Sequence, residues 1–205
     1  MHVKICGLST LEAAQTAIDS GADYLGFIFA ESKRKVTPIK AREIISNLKG
    51  NAKKVGVFVN ESVEEISRIA EYAGLDIIQL HGTESQEFAS KLTLPVIKAI
   101  TIHSIEDLKQ VQEWETEYLL LDLPKNQIAP IRMTLNWEEM MGKLPYSNHI
   151  FLAGGLTPEN VETAVKLIQP YAVDVSGGVE TEGTKDLIKI NAFIKGAQYK
   201  KEELI

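Results

Sequence analysis

At 205 residues the chain suits one domain, 1–205, with one substantial core. Hydrophobic residues at 44 % and charged residues at 24 % exclude the disordered and fibrous classes, and no apolar run is long enough to span a bilayer. A net charge of −6 without a basic stripe argues against nucleic acid as a partner, and a single cysteine gives neither an internal disulfide nor a metal-ligand spacing.

The start of the chain, Met1-His2-Val3-Lys4-Ile5-Cys6, enters a strand-like pattern at once and lacks the build of a signal peptide, so a cytoplasmic protein without membrane partners is expected. From there short apolar runs alternate with amphipathic stretches. The runs are His2–Cys6, Asp23–Phe29, Lys53–Val59, Leu75–Leu80, Pro95–Ile100, Tyr118–Asp122, His149–Gly154 and Tyr171–Ser176. Between them the spacing predicts helices over Thr10–Ser20, Pro38–Leu48, Val63–Ala73 and Pro158–Ile168, with a last one over Thr184–Gln198. Start and stop signals support several of these: Ser9 with Glu12, Ser62 with Glu65, Pro158 in a first turn, and Gly21 and Gly74 just past helix ends. Strict alternation means parallel strands covered by helices. Eight near-equal units without a Gly-x-Gly-x-x-Gly turn favour a closed barrel over an open sheet. The expected fold is α/β, a single (β/α)8 barrel near the small end of its size range.

Strand parity sorts the polar residues. Lys4 and Cys6 oppose Val3 and Ile5, Gln79 and His81 oppose Ile78 and Leu80, and Lys98 opposes Ile97 and Ala99. Asp122 opposes Leu119 and Leu121, and Asp174 opposes Val173 and Val175. If the apolar parity packs on helices, then Lys4, Gln79, His81, Lys98, Asp122 and Asp174 point into the barrel. Each alone fits a structural polar network equally well. Together, near strand C-termini where barrel active sites lie, they point to a site. Buried charges need partners, and strand adjacency suggests Lys4 with Asp174 and Lys98 with Asp122.

The last two strands end in paired glycines, Gly154-Gly155 before Thr157-Pro158, and Ser176-Gly177-Gly178 before Glu180. One such pair marks a turn. Two of them, after strands 7 and 8 of eight, fit a phosphate site in which backbone N–H groups converge on an anion. Lys185, near the start of the last helix, adds positive charge there.

Lys4-Ile5-Cys6-Gly7, Ser32-Lys33-Arg34, Gln79-Leu80-His81-Gly82, Leu120-Leu121-Asp122, Ala153-Gly154-Gly155 and Asp174-Val175-Ser176-Gly177-Gly178-Val179-Glu180 occur in one order. In this the chain resembles the phosphoribosylanthranilate isomerase family of tryptophan biosynthesis along essentially its whole length. The resemblance implies an Amadori rearrangement of N-(5-phosphoribosyl)anthranilate to 1-(2-carboxyphenylamino)-1-deoxyribulose 5-phosphate, with no cofactor and no metal. It implies Cys6 as general base and Asp122 as general acid. Arg34 then grips the anthranilate carboxylate, Lys4, His81 and Asp174 contribute to substrate binding, and Gly154, Gly155, Ser176, Gly177 and Gly178 hold the phosphate. Read alone, Cys6 is a small buried hydrophobe, Arg34 a solvated charge in the Glu31–Lys35 cluster, and His81 as readily a structural hydrogen bond. The partner is a small phosphosugar–anthranilate molecule, and the assembly a monomer or a homodimer.

The chain departs from the family after Asp122, where Ala129-Pro130-Ile131-Arg132-Met133 replaces a glycine-rich stretch. Proline fixes φ and the other residues disfavour positive φ, so a stiffer loop is expected. Gly177 stands where a second serine is common. The alternatives are another phosphosugar barrel isomerase or epimerase, and a non-catalytic phosphate-ligand-binding barrel left by a degenerate loop.

Overall fold

The computed structural model describes residues 1–111, 113–122, 137–140, 144 and 149–198. Eight parallel strands close into a barrel in chain order, with the last paired to the first. They are β1 (His2–Cys6), β2 (Tyr24–Ile28), β3 (Lys53–Phe58), β4 (Ile77–Leu80), β5 (Val96–Thr101), β6 (Tyr118–Asp122), β7 (Ile150–Ala153) and β8 (Ala172–Val175). Each lies within two residues of its expected bounds. Helices α1 (Leu11–Asp19), α2 (Pro38–Asn47), α3 (Val63–Ala73), α4 (Gln86–Ala89), α5 (Leu108–Val111), α6 (Trp137–Met140), α7 (Val161–Ile168) and α8 (Leu187–Ala197) cover it. Among the described residues no helix is long and apolar enough to cross a membrane.

Short polar side chains start the helices by accepting otherwise unpaired backbone N–H groups. Thr37 accepts from Lys40, with Pro38 opening α2, and Ser62 accepts from Glu65 at α3. Gly74 ends α3 in the left-handed region at φ 75°, which glycine enters without steric cost. At α1 the cap is Thr10, which accepts from Ala13, and not the expected Ser9. The last helix also starts later than expected. Thr184–Lys185 (β10) pairs antiparallel with Glu180–Thr181 (β9), and Asp186 caps α8 by accepting from Ile188 and Lys189. Residues 158–160 form a turn ahead of α7, with Pro158 in that turn.

Strand parity divides the core in two. Val3, Ile5, Leu25, Phe27, Ile78, Leu80, Leu119, Leu121, Val173 and Val175 belong to the layer between strands and helices. Tyr24, Val55, Ile77, Ile97, Ala99, Leu120, Phe151, Ala153 and Ala172 fill the barrel itself, with Tyr118 and Tyr171 packed against them. At the strand N-termini these rings close the barrel floor: Tyr24 and Phe151 meet edge-on at 5.1 Å, and the Tyr24 and Tyr171 hydroxyls bond at 2.9 Å. With its floor filled by aromatics, the barrel has room for polar groups only near its C-terminal end.

Lys98 corrects the expected parity of β5. Ile97 and Ala99 face the barrel interior, and Lys98, in register with the outward Leu119, faces the helix layer. It therefore does not pair with Asp122. Its Nζ donates to Glu84 Oε2 at 2.8 Å and to the Gly82 carbonyl at 2.7 Å, and lies 5.4 Å from the Trp114 ring centre. Glu84 also accepts from the backbone N–H groups of Asn60 and Gly82, at 2.7 and 2.9 Å. Burial opposes its charge, but Lys98 and the backbone N–H groups of Asn60 and of Glu84 itself outweigh it and hold the Glu84 carboxyl below its ordinary value. An apolar parity need not face the helices, because the barrel interior needs apolar filler too, here Ile97 and Ala99.

Removing one member of a buried ion pair leaves the other uncompensated. Lys98→Met is therefore expected to lower unfolding free energy by about 3–5 kcal/mol, measured by urea denaturation. The double variant Lys98→Met/Glu84→Gln should recover part of that loss. No recovery would mean that the pair is not the source of the effect.

Candidate active site

The C-terminal ends of the strands surround an open cavity of about 580 Å³. That volume lies within the ordinary range for small-molecule sites. Cys6, Arg34, His81, Asp122, Gly154, Gly155, Asp174, Ser176, Gly177 and Gly178 all line it. Lys4 does not. It lies fully buried, and its Nζ donates to Asp174 Oδ1 at 2.8 Å across the β1–β8 seam, where the two residues are register partners. The Lys4–Asp174 pairing expected from adjacency is present.

Cys6 ends β1 opposite Gly26 of β2, and a Cβ on Gly26 would stand 2.7 Å from the sulfur, so only glycine leaves room for the thiol. Burial pushes the Cys6 thiol pKa up; Lys4 and Lys185 work against that rise and Asp174 adds to it, leaving the group above its ordinary value. For Lys4 burial is the largest single influence and opposes the charge. Asp174, followed by Cys6, overcomes it, so the ammonium is held above its ordinary value. A cation thus sits beneath the cysteine, and the resting side chain is the thiol.

Across the cavity, Asp122 ends β6, and its Oδ2 lies 3.3 Å from His81 Nε2. The other imidazole nitrogen, Nδ1, faces Gln79 Nε2 at 3.0 Å. An amide N–H can only donate, so in this arrangement Nδ1 accepts and the proton of His81 lies on Nε2, donated to Asp122. Gln79 Oε1 is buried with no hydrogen-bond partner among the described residues.

Arg34 and Glu180 form a forked pair. Arg34 Nε and Nη2 donate to the two Glu180 oxygens at 2.5 and 2.7 Å. This occupies the side edge of the guanidinium and leaves the end carrying Nη1 for a ligand. Lys185 Nζ donates to the same carboxylate and to the Ser176 carbonyl, both at 2.9 Å, and Lys33 Nζ stands 4.0 Å from Glu180 at the exposed mouth. Burial alone would raise the Glu180 pKa, but Arg34 and Lys185 bring it down to about 2. Burial lowers the Lys185 pKa despite Glu180, and hydrogen bonding to Glu180, the largest influence, raises that of Arg34. Glu180 was part of a sequence motif without a role of its own. Nothing local signals its partner, because Arg34 is 146 residues away in the chain.

The two glycine pairs adjoin. Gly154 and Gly155 have φ of 89° and 68°. A Cβ on Gly178 would meet the Leu156 carbonyl oxygen at 1.9 Å, so the loops after β7 and β8 pack backbone to backbone. Asn160 ties the first loop by accepting from Thr157 N–H at 2.8 Å and donating to the Gly155 carbonyl at 3.0 Å. The Ser176 hydroxyl is buried with no partner among the described residues. Gly177–Val179 turns as a short 3-10 helix, so its N–H groups point toward its start, where Ser176 lies. Such a nest suits an anion.

This layout has known counterparts. The family model for N-(5'-phosphoribosyl)anthranilate (PRA) isomerase matches residues 3–196. The chain belongs to the N-(5'-phosphoribosyl)anthranilate isomerase family. An isomerase of this name from Bacillus cereus strain B4264 is 48 % identical over 197 residues, spanning 95 % of this chain and 96 % of that protein. A crystal structure of a family member in complex with reduced 1-(o-carboxyphenylamino)-1-deoxyribulose 5-phosphate shares 38 % identity with a TM-score of 0.82, over 96 % of this chain and 98 % of that one. Monomers generated from the dimeric isomerase of Thermotoga maritima match equally well in coverage, 96 % and 98 %, at 38 % identity and a TM-score of 0.81. The expected departure from the family pattern, the glycine-free stretch after Asp122, lies outside the described residues.

The low Glu180 pKa has a direct consequence. A carboxyl depressed from 4.5 to about 2 on folding stabilises the native state above its unfolded value, and that stabilisation is lost as pH falls toward 2. The stability gap between the wild-type protein and Glu180→Gln, followed by urea denaturation, should be widest near neutrality and narrow progressively below pH 4.5. A gap independent of pH would contradict the ionised Arg34–Glu180–Lys185 cluster.

Proposed function

We infer that this chain, as an aldose–ketose isomerase of its family, converts N-(5-phosphoribosyl)anthranilate to 1-(2-carboxyphenylamino)-1-deoxyribulose 5-phosphate, a step of tryptophan biosynthesis. The observation that carries the reading is the placement of Cys6 and Asp122 on one cavity, between an anion nest on one side and the free end of an arginine on another. The substrate has matching parts: a phosphate, a carboxylate, and a sugar ring to be opened between them.

In this reading the phosphate rests on Gly154, Gly155, Ser176, Gly177 and Gly178, and fills the unmet need of the buried Ser176 hydroxyl. Arg34, held by Glu180, meets the anthranilate carboxylate. Asp122, as the acid, gives its proton to the furanose oxygen, and the nitrogen lone pair opens the ring to an iminium. Cys6, as the thiolate, removes the proton from C2. The electron pair left behind neutralises the iminium as an enolamine, which tautomerises to the ketose. Lys4 acts from below, countering the burial that keeps Cys6 protonated. Asp174 anchors Lys4 and presents its own carboxylate edge to the cavity.

The cycle draws only on protein side chains, and the reading places it in the cytoplasm. One chain supplies every residue named, so the site is complete in a monomer and in a homodimer alike. The presence of both a base and an acid favours catalysis over simple retention of a phosphate ligand.

Loss of substrate fluorescence on mixing with freshly made phosphoribosylanthranilate measures the activity. Cys6→Ala and Asp122→Ala should each lower kcat by at least ~10²-fold, the scale for losing a general acid or base. A near-normal rate in either variant removes that residue from its role. Binding without turnover in the wild-type protein would instead identify a phosphate-ligand binder.

A further inference from the structure

Counting protons through one turnover exposes a need that Cys6 and Asp122 do not meet. Ring opening moves a proton from the Asp122 carboxyl to the ring oxygen, and enolamine formation moves one from C2 to the Cys6 thiolate. Tautomerisation removes the proton of the C2 hydroxyl and adds one at C1, for no net change. Each turnover therefore leaves Asp122 one proton short and Cys6 with one in excess. Solvent must supply the first and accept the second before the next cycle.

We infer that His81, oriented by Gln79, is the relay that returns the proton to Asp122; the inference rests on the acid–base reading above. Three observations converge on it. His81 is the described side chain hydrogen-bonded to Asp122, through Nε2 at 3.3 Å. Its side chain is 34 % exposed and lines the cavity, so water reaches it. Behind it stands a buried amide, Gln79, with one end on Nδ1 at 3.0 Å and the other, Oε1, unpartnered among the described residues.

An amide offers a donor at one end and an acceptor at the other. With Gln79 Nε2 toward Nδ1, the ring keeps its proton on Nε2 and donates it to an ionised Asp122. Rotation of the amide brings Oε1 to Nδ1 while the ring exchanges its proton through cavity water: Nε2 loses its proton to water, and Nδ1 takes one from water and donates it to Oε1, which leaves the Nε2 lone pair free. Nε2 then takes a proton from cavity water to give the imidazolium, and the hydroxide left behind removes the excess proton of Cys6. That N–H bond breaks as the O–H bond of Asp122 forms, and the ring returns to neutral with its proton on Nδ1. The freed lone pair now accepts from the Asp122 carboxyl, the state that can donate to substrate. The unpartnered buried oxygen thus has a use, as the acceptor for the second imidazole tautomer.

The test compares first and later turnovers by rapid mixing with substrate in excess. In His81→Ala the first turnover, made by enzyme already protonated at Asp122, should stay within ~3-fold of wild type, while the steady-state rate falls ~10- to 100-fold, the range for losing assisted proton transfer. Imidazole added to the buffer should restore the steady-state rate. His81→Asn, which keeps a polar side chain in place, should show the same split. Misfolded protein lowers the amplitude of the first turnover without altering the ratio of the two rates, so poor folding does not mimic the effect. Equal loss in both phases without rescue, or no loss in either, overturns the relay. No turnover by the wild-type protein overturns the acid–base reading itself, which keeps the two failures apart.

Discussion

A lysine and an aspartate, buried and bonded at 2.8 Å across the seam where the barrel closes, are the interaction on which the site depends. Desolvation of both ions cancels much of their attraction, so the pair is weak evidence for stability. Its value is positional. It joins the first strand to the last and fixes a positive charge beneath Cys6 with a negative one beside it. The thiol feels both, along with the larger effect of burial, and rests protonated. A base that rests as the thiol must give up its proton before it can take one from C2, and Lys4 beneath it favours that loss.

The same principle governs the rim. Glu180 gathers Arg34 from the loop after β2 and Lys185 from β10, with Lys33 near its exposed edge. One carboxylate among three cations leaves this cluster net positive, although the whole chain carries −6. Net charge describes the surface at large. Local convergence of cations and backbone N–H groups decides what binds.

Most of this was legible in the sequence because period and parity are local. All eight strands followed from alternation of apolar runs, and the inward placement of Lys4, Cys6, Gln79, His81, Asp122 and Asp174 followed from counting along each strand. Lys98 differs from expectation because parity says which residues share a face, not which face looks inward. Ile97 and Ala99 could pack either way, and only the Glu84 carboxylate and the Trp114 ring in the helix layer decide it. Glu180 was invisible as a partner for a different reason: a forked ion pair between distant loops has no period and no spacing. Lys4 belongs to the expected cluster but lies deeper than expected, with Asp174 and not Lys4 reaching the cavity, and depth of this kind has no signal in the sequence. At the helix starts the structure differs slightly: Thr10 and not Ser9 caps α1, and α8 begins only after the β9–β10 pair, at Asp186.

The central claim is that burial and the Lys4–Asp174 pair set the proton affinity of Cys6. The chain has one cysteine, so its ionisation can be followed alone, as thiolate ultraviolet absorbance against pH with Cys6→Ala as the blank. The account predicts a thiol that ionises above the ordinary cysteine value in the folded protein, and a lower midpoint in Asp174→Asn, where the neighbouring anion is gone. Ionisation at or below the ordinary value, or a midpoint unmoved by Asp174→Asn, would contradict it.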